Sequence, residues 1–410
     1  MDDFDPDSLS ANEALERILD AVEPVQGKEK VELRTSIGRV LATDIKSNIN
    51  VPSHDNSAMD GYAVRAADIP SSGTSELNII GTVFAGKPLD KTITPGTCAR
   101  IMTGGVIPEG ADTVVIQEQT EQNGDMVKIG NDTGAGDNVR FAGEDIATGD
   151  IILHAGVKIT PADIGLIASL GIGEVMVSRK PRVAFFSTGD ELQSIGENLA
   201  PGNVYDSNRY TLYGMLHRLG VEIIDMGVIR DVKEDIAAAF TQAASYADII
   251  ITSGGVSVGE ADYIKEILGK LGQVNFWKVA IKPGRPLAFG KLQNAWFFGL
   301  PGNPVSVMVT FYQFVQPAIL KLMGSRQTEP LTTRAICSSK LKKRAGRVEY
   351  QRGILHRDES GRLVVEKTGA QGSGILSSMA QANCFIILPM ESEGIQPGVE
   401  VEVQPFFGMV

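Results

Sequence analysis

RVAFFST (182–188), VEIIDMGVI (221–229), ADIIITS (247–253) and WFFGLPGNP (296–304) are the stretches that decide the fold. Each is a near-continuous apolar run followed by a polar, Gly- or Pro-containing loop, the pattern of strands buried on both faces. Helical periodicity fills the spaces between the first three, from about Ser207 to Leu219 and from Lys233 to Ser245, and a further helix follows from about Val305 to Met323. Strand and helix in alternation predict a parallel sheet covered on both sides.

Beyond Met323 the text becomes short strands: TRAICSSKL, EYQRGIL, RLVVEKT, CFIILP and VEVEVQPF, a set that predicts a small barrel. Upstream, from Val51 to about Arg140, runs such as LNIIGTVFAG, CARIMTGG and DTVVIQEQ stand between Gly, Pro, Asn and Asp clusters and predict an inserted β domain. Two helical pieces flank it. Residues Ala14 to Val22 follow Ser10 or Asn12 as caps, and PADIGLIASL follows Thr160 as N-cap with Pro161 in first position, expected to rejoin the N-terminal helix. The expected fold class is multidomain, α/β plus β. A discontinuous helical and linker domain (1–50 and 146–180) is expected to surround the inserted β domain (51–145), followed by the α/β domain (181–327) and a C-terminal β-barrel (328–410).

A chain of 410 residues, 43% hydrophobic and 21% charged, is globular and too long for one core. Its net charge of −12 argues against nucleic acid or a membrane surface as partner, since either polyanion is repelled. No apolar run approaches the roughly 18 residues that span a bilayer, and MDDFDPDSLS is acidic where a signal peptide is basic, which predicts a cytoplasmic protein. Cys98, Cys337 and Cys384 form no CxxC pair, and four scattered histidines offer no transition-metal set.

Open parallel sheets bind ligands beyond the carboxyl ends of their strands. The loops there are Ser187-Thr188-Gly189-Asp190-Glu191, Arg230-Asp231, Ser253-Gly254-Gly255 running to Asp262, and Gly299-Leu300-Pro301-Gly302-Asn303-Pro304. Gly254 and Gly255, with the helix opening near Pro304, can offer backbone N–H groups to an oxyanion, the plainer alternative being a tight turn. Glu191, Asp231 and Asp262 come from three loops on one edge, where like charges repel unless a cation sits between them. Magnesium fits such a set; helix capping by Asp231 and Asp262 is the alternative. Lys278, Lys282 and Arg285 stand in a segment stiffened by Pro and Gly, suited to clamping an oxyanion, or else simply solvated.

A rival lies in Gly255-Val256-Ser257-Val258-Gly259, which matches the GxSxG elbow of serine hydrolases. Its partner histidine would have to be His356, in the expected barrel and outside the α/β unit. No GxxxxGK[ST] and no complete dinucleotide fingerprint is present.

DNSAMDGYAV (55–64), RIMTGG (100–105), GED (143–145), STGDEL (187–192), ITSGGVSVGEADY (251–263), FWKVAIKPGRP (276–286) and GLPGNPVS (299–306) together resemble one family over essentially the whole chain. It is the molybdopterin molybdenumtransferase family of the MoeA and gephyrin E-domain type. The resemblance implies a pterin-binding α/β domain in an elongated homodimer. It also implies an enzyme that takes adenylylated molybdopterin and molybdate, splits the phosphoanhydride with Mg2+, inserts molybdenum and releases AMP. Asp190, Glu191, Asp231 and Asp262 match the acidic cleft positions, with Glu191, Asp231 and Asp262 as magnesium ligands. Pro301 and Pro304 match the rigid loop, and Thr188, Gly189, Ser253, Gly254, Gly255, Ser257, Gly302 and Asn303 complete the substrate site. Asp60, Thr103 and Asp145 match positions that reach the site from the β domain. Lys278, Lys282, Arg285, Ser306 and Arg352 are expected to hold molybdate, Arg285 being a departure where relatives often carry Lys. A contact with the molybdopterin adenylyltransferase is expected. A non-catalytic scaffold of the gephyrin type is an alternative.

Overall fold

The computed structural model describes residues 5–254 and 261–407. At its centre is a six-stranded sheet in the order Glu222–Ile229, Arg182–Thr188, Ile249–Ser253, Ala295–Leu300, Pro286–Leu292, Gly272–Lys278. The first four strands are parallel, as expected. The last two are antiparallel hairpin partners, so the sheet is mixed. Sequence periodicity missed this because the segment 277–286, read as stiffened by Pro and Gly, is strand up to Lys278, strand again at Ile281–Lys282 and the start of a strand at Pro286.

Strand Arg182–Thr188 shows why the sheet must be covered twice. Val183 and Phe185 join one core with helix Ser207–Leu219 and the helical segment after Pro304, while Ala184 and Phe186 join the other with helices Lys233–Tyr246 and Ala261–Leu271. Side chains alternate at period two, so an uninterrupted apolar run needs apolar partners on both sides.

The helix after the GLPGNP loop runs from Pro304 to Leu322, 19 residues apolar enough by length and composition to cross a membrane. The sequence predicts this helix at about Val305 to Met323, while the expectation that no apolar run approaches membrane-spanning length is corrected by it. Val305, Val307, Val309, Phe311, Val315, Ala318 and Ile319 are fully buried in the α/β core, which explains its hydropathy without a bilayer.

The N-terminal helix Ala11–Ala21 begins at Ser10, whose hydroxyl accepts from the Glu13 N–H at 3.1 Å. Its buried face, Ala14 and Ile18 with Val22 beyond it, packs into the α/β core with Ile319 and Leu322. It does not rejoin helix Pro161–Ser169, which is capped by Thr160 in a reciprocal box with Asp163 and packs with Leu33, Leu41 and Val177. An apolar stripe marks a buried face but does not name its partner. The two halves flanking the β domain meet through strands: Lys28–Glu32 pairs with Glu174–Ser178, and Ile45–Lys46 with Ile151–Leu153.

The inserted β domain is a six-stranded sheet in the order Thr113–Ile116, Gly61–Val64, Thr97–Ile101, Ser75–Val83, Met126–Ile129, Thr120–Asn123. At the C-terminus five strands close on themselves: Val348–Arg357, Leu363–Lys367, Thr333–Cys337, Glu400–Pro405 and Cys384–Leu388, which returns to pair with Val348–Arg357. Ile281–Lys282 adds to this barrel in parallel with Val348 and Glu349, so the basic segment physically joins sheet to barrel.

Candidate active site

The carboxyl ends of the parallel strands bring the expected loops together. Ser187 and Ser253, both buried, share a hydrogen bond of 3.0 Å between their hydroxyls, and Thr188 is buried beside them. Gly254 has φ +93°, and a Cβ there would lie 2.9 Å from the Thr188 carbonyl oxygen, so only glycine lets the two loops approach so closely. Its N–H donates to the Leu300 carbonyl at 3.2 Å. That N–H is therefore committed to holding the GLPGNP loop and is not offered to an oxyanion. Gly255 and Ser257 lie outside the described residues, and His356 is exposed on a barrel strand.

Asp231 does not cap its helix: Val232 stands at the N-cap, with no side-chain capping bond. Its N–H donates to Asp190 Oδ1 at 3.3 Å. Burial, then the neighbouring charges of Asp190 and Glu191, raise the Asp231 pKa above the ordinary carboxylate value. The charges of Asp190 and Glu191 thus oppose that of Asp231 at one edge of the sheet. Asp262 is second in helix Ala261–Leu271, and its side chain lies outside the described set. Among the described residues no three Asp, Glu, His or Cys side chains converge closely enough to hold a metal by themselves.

The basic residues divide into two groups. Lys278 Nζ lies 3.5 Å from Asp5 Oδ2, and the Arg285 guanidinium pairs with the same carboxylate. Asp5 is placed there because Leu9 is zipped to the strand, its N–H donating to the Lys278 carbonyl and its carbonyl accepting from Ala280. Lys282 turns instead to the barrel, where its Nζ lies 3.3 Å from Glu349 Oε2. It also borders a cavity of about 640 Å³ whose other cations are Lys340, Lys342, Lys343 and Arg344. Gly284, at φ +109°, lies against the 304–310 helix: a Cβ would come within 2.7 Å of Thr310 Oγ1 and 3.6 Å of the Ser306 carbonyl oxygen.

Arg352 is 1% exposed, the largest fully buried side chain among the described residues. Its Nε donates to Ser378 Oγ and its NH2 group to the Gly372 carbonyl, both at 3.0 Å. Burial pushes its pKa down to about 10, against the opposing charge of Glu349. Lys282, Glu349 and Arg352 thus form a charged line from the surface into the barrel.

In the β domain Asp60 Oδ1 accepts from both the N–H and the hydroxyl of Thr103, at 2.7 and 2.8 Å. Those two bonds, first the backbone one, hold its carboxyl below the usual range, with Arg100 adding to the effect and burial opposing it. Asp145 is exposed, its N–H donating to the Val51 carbonyl at 3.1 Å.

Three family profiles cover nearly all of this architecture. The MoeA N-terminal region (domains I and II) matches residues 9–171, a probable molybdopterin-binding domain matches 184–321, and the MoeA C-terminal region (domain IV) matches 334–406. A molybdopterin molybdenumtransferase of Haemophilus influenzae is 46% identical over 97% of this chain and 98% of its own. The chain belongs to the molybdopterin molybdenumtransferase family. A Nostoc member is 37% identical over 92% of this chain and 88% of its own. The crystal structure of the moeA protein from Pyrococcus horikoshii superposes with a TM-score of 0.85 at 32% identity, covering 97% of this chain and all of that one. The chain is accordingly a transferase of molybdenum cofactor biosynthesis. In this family member the sequence reading missed Ser378, which orients Arg352, and Asn208, which donates to the Gly302 carbonyl of the GLPGNP loop. A serine in a six-residue helix carries no motif, and Asp-Ser-Asn before a helix reads only as a cap.

Proposed function

We propose that the chain is a cytoplasmic, homodimeric, magnesium-dependent enzyme that inserts molybdate into adenylylated molybdopterin and releases AMP. The observation that carries this reading is the placement of Asp190, Glu191 and Asp231 in loops at the carboxyl edge of the parallel sheet, where the Asp231 N–H meets Asp190 Oδ1 and its ionisation is opposed by both neighbours. A hard divalent cation relieves that repulsion, and Glu191 and Asp231, with Asp262, are the side chains to hold it. When bound, such an ion neutralises charge on the phosphoanhydride.

Thr188, Gly189, Ser253, Pro301, Gly302, Asn303 and Pro304 then shape the pocket for the pterin nucleotide. Lys282 and Arg285 are the donors for the molybdate oxyanion, Lys278 adds charge, and Arg352 with Ser306 supports them from the barrel and the helix. The bonds of Asp60 and Thr103 stay within the β domain, which supports completion of the cleft by the partner subunit. A contact with the molybdopterin adenylyltransferase would deliver the pterin without its release. The test is AMP formation from adenylylated molybdopterin and molybdate in the presence of magnesium. Folded protein that releases no AMP from authentic substrate rejects this function.

A further inference from the structure

Two of the cations assigned to the oxyanion already face a carboxylate of their own chain. One oxygen of Asp5 serves both: Lys278 Nζ is 3.5 Å from Oδ2, and the NH2 group of Arg285 donates to the same atom. The other oxygen, Oδ1, accepts from the Asp7 N–H at 3.0 Å, and the Asp5 carbonyl accepts from the Ser8 N–H at 3.0 Å. Residues 5–8 are thus a turn bonded to itself. The Asp7 N–H, with burial opposing it and Lys278 and Arg285 adding to it, holds the Asp5 carboxyl below the ordinary carboxylate value, so it is ionised at neutral pH.

The turn has a firm anchor and a weak latch. Its anchor is Leu9, fixed to the strand end by two backbone bonds of 2.9 and 2.7 Å and packed against the α/β core, with Ser10 capping the helix that follows. Among the described residues, the hydrogen bonds and ion pairs from residues 5–8 to the body of the protein are those of the Asp5 carboxylate alone. Both of its cations are half-exposed, and such pairs contribute little in water. Arg285 Nε has no hydrogen-bond partner, so the contact also lacks the two-pronged geometry in which arginine binds carboxylate best. A turn held this way opens on Leu9 without disturbing the core.

We propose that Asp5 is a tethered competitor of the oxyanion, its carboxylate holding Lys278 and Arg285 until an oxyanion takes its place. Oδ2 occupies the position from which one oxygen reaches both cations, and a second anion beside it is repelled. The short tether to Leu9 keeps the carboxylate at an effective concentration on the order of millimolar or more, so the exchange needs a ligand with more charge and more acceptors than a carboxylate. A tetrahedral dianion has both. Competition in cis lowers the fraction of protein able to bind and so weakens every oxyanion by one common factor. It raises the concentration at which the site fills and leaves selectivity unchanged. This inference rests on the assignment of Lys278 and Arg285 to the oxyanion and adds the regulation of that site.

The experiment is calorimetric titration of the full-length protein with molybdate and with tungstate, in the absence of pterin substrate. Asp5→Asn is expected to bind both about two- to tenfold more tightly than the native protein, with the ratio of the two affinities unchanged, because two exposed ion pairs no longer compete. Asp5→Glu keeps a carboxylate on the turn and is expected to stay within about twofold of the native affinity. Asp7→Asn removes the same charge from an exposed residue and keeps its N–H, and the expected change is again within about twofold. Affinity that is unchanged or lower in Asp5→Asn overturns the proposal, and so does a changed ratio of molybdate to tungstate. An equal gain in Asp7→Asn overturns it too, reducing the effect to net charge. These failures leave AMP release by the native protein intact. If neither the native protein nor Asp5→Asn binds either oxyanion, the assignment of these cations falls and the inference with it, and only the additional absence of AMP release rejects the function.

Discussion

Arg352→Met separates what the buried guanidinium does for stability from what it does for the oxyanion. Met has comparable length and no charge, and it fits an apolar site with little strain. The substitution removes two charge-assisted hydrogen bonds, to Ser378 Oγ and the Gly372 carbonyl, each contributing roughly 1.5–3 kcal/mol. It also removes a buried charge whose cost is visible in a pKa lowered from 12.5 to about 10, on the order of 3 kcal/mol. The two effects largely cancel, leaving a net destabilisation of about 0–3 kcal/mol, as is common when a buried ion is replaced by a hydrophobe. Oxyanion binding has no such compensation. Losing one cationic support should weaken molybdate about ten- to hundredfold, seen as a raised KM for molybdate at saturating pterin substrate. Urea unfolding measures the first quantity and initial rates against molybdate the second. A variant destabilised by more than about 5 kcal/mol with an unchanged molybdate dependence would show that Arg352 only holds the barrel together, and would refute this reasoning.

Asp231 gives a pH signature of unusual sign. Its pKa is raised in the folded protein, so its ionised form is destabilising, fully so above the folded pKa, and the destabilisation is relieved as pH falls through that pKa. In metal-free protein the site should therefore gain stability on mild acidification, and Asp231→Asn should abolish that increment in urea titrations; magnesium binding should weaken over the same window. Mixing inactive Asp60→Ala and Asp262→Ala chains should restore partial activity if the β domain completes its partner's cleft, and mixed dimers that stay dead exclude it. Asp5→Asn frees Lys278 and Arg285 from their carboxylate, so molybdate affinity measured by calorimetry should rise a few-fold at low salt and less at high salt; a lowered affinity would mean that Asp5 positions these cations.

Much of this molecule was legible because period and punctuation report on local burial. Val183, Phe185 and their alternates Ala184 and Phe186 could only be a doubly covered strand, and the five short runs after Leu331 close into the barrel they suggested. The loops after the strands were placed correctly for a general reason, that parallel strands end on one edge. The sequence alone determined the four parallel strands of the sheet, the barrel, the inserted β domain and the acidic loops, but not the antiparallel pair that extends the sheet. Tertiary structure decided where long-range partners fall. Local pattern specifies that a face is apolar or a residue charged, but the partner is chosen by packing across distant segments. The helix at Ala11–Ala21 therefore lies on Ile319 and Leu322, and Lys278 and Arg285 face Asp5 while Lys282 faces Glu349. For the same reason Asn208 looked like part of an ordinary helix start: that its amide donates to the Gly302 carbonyl, almost a hundred residues away, is decided by tertiary packing.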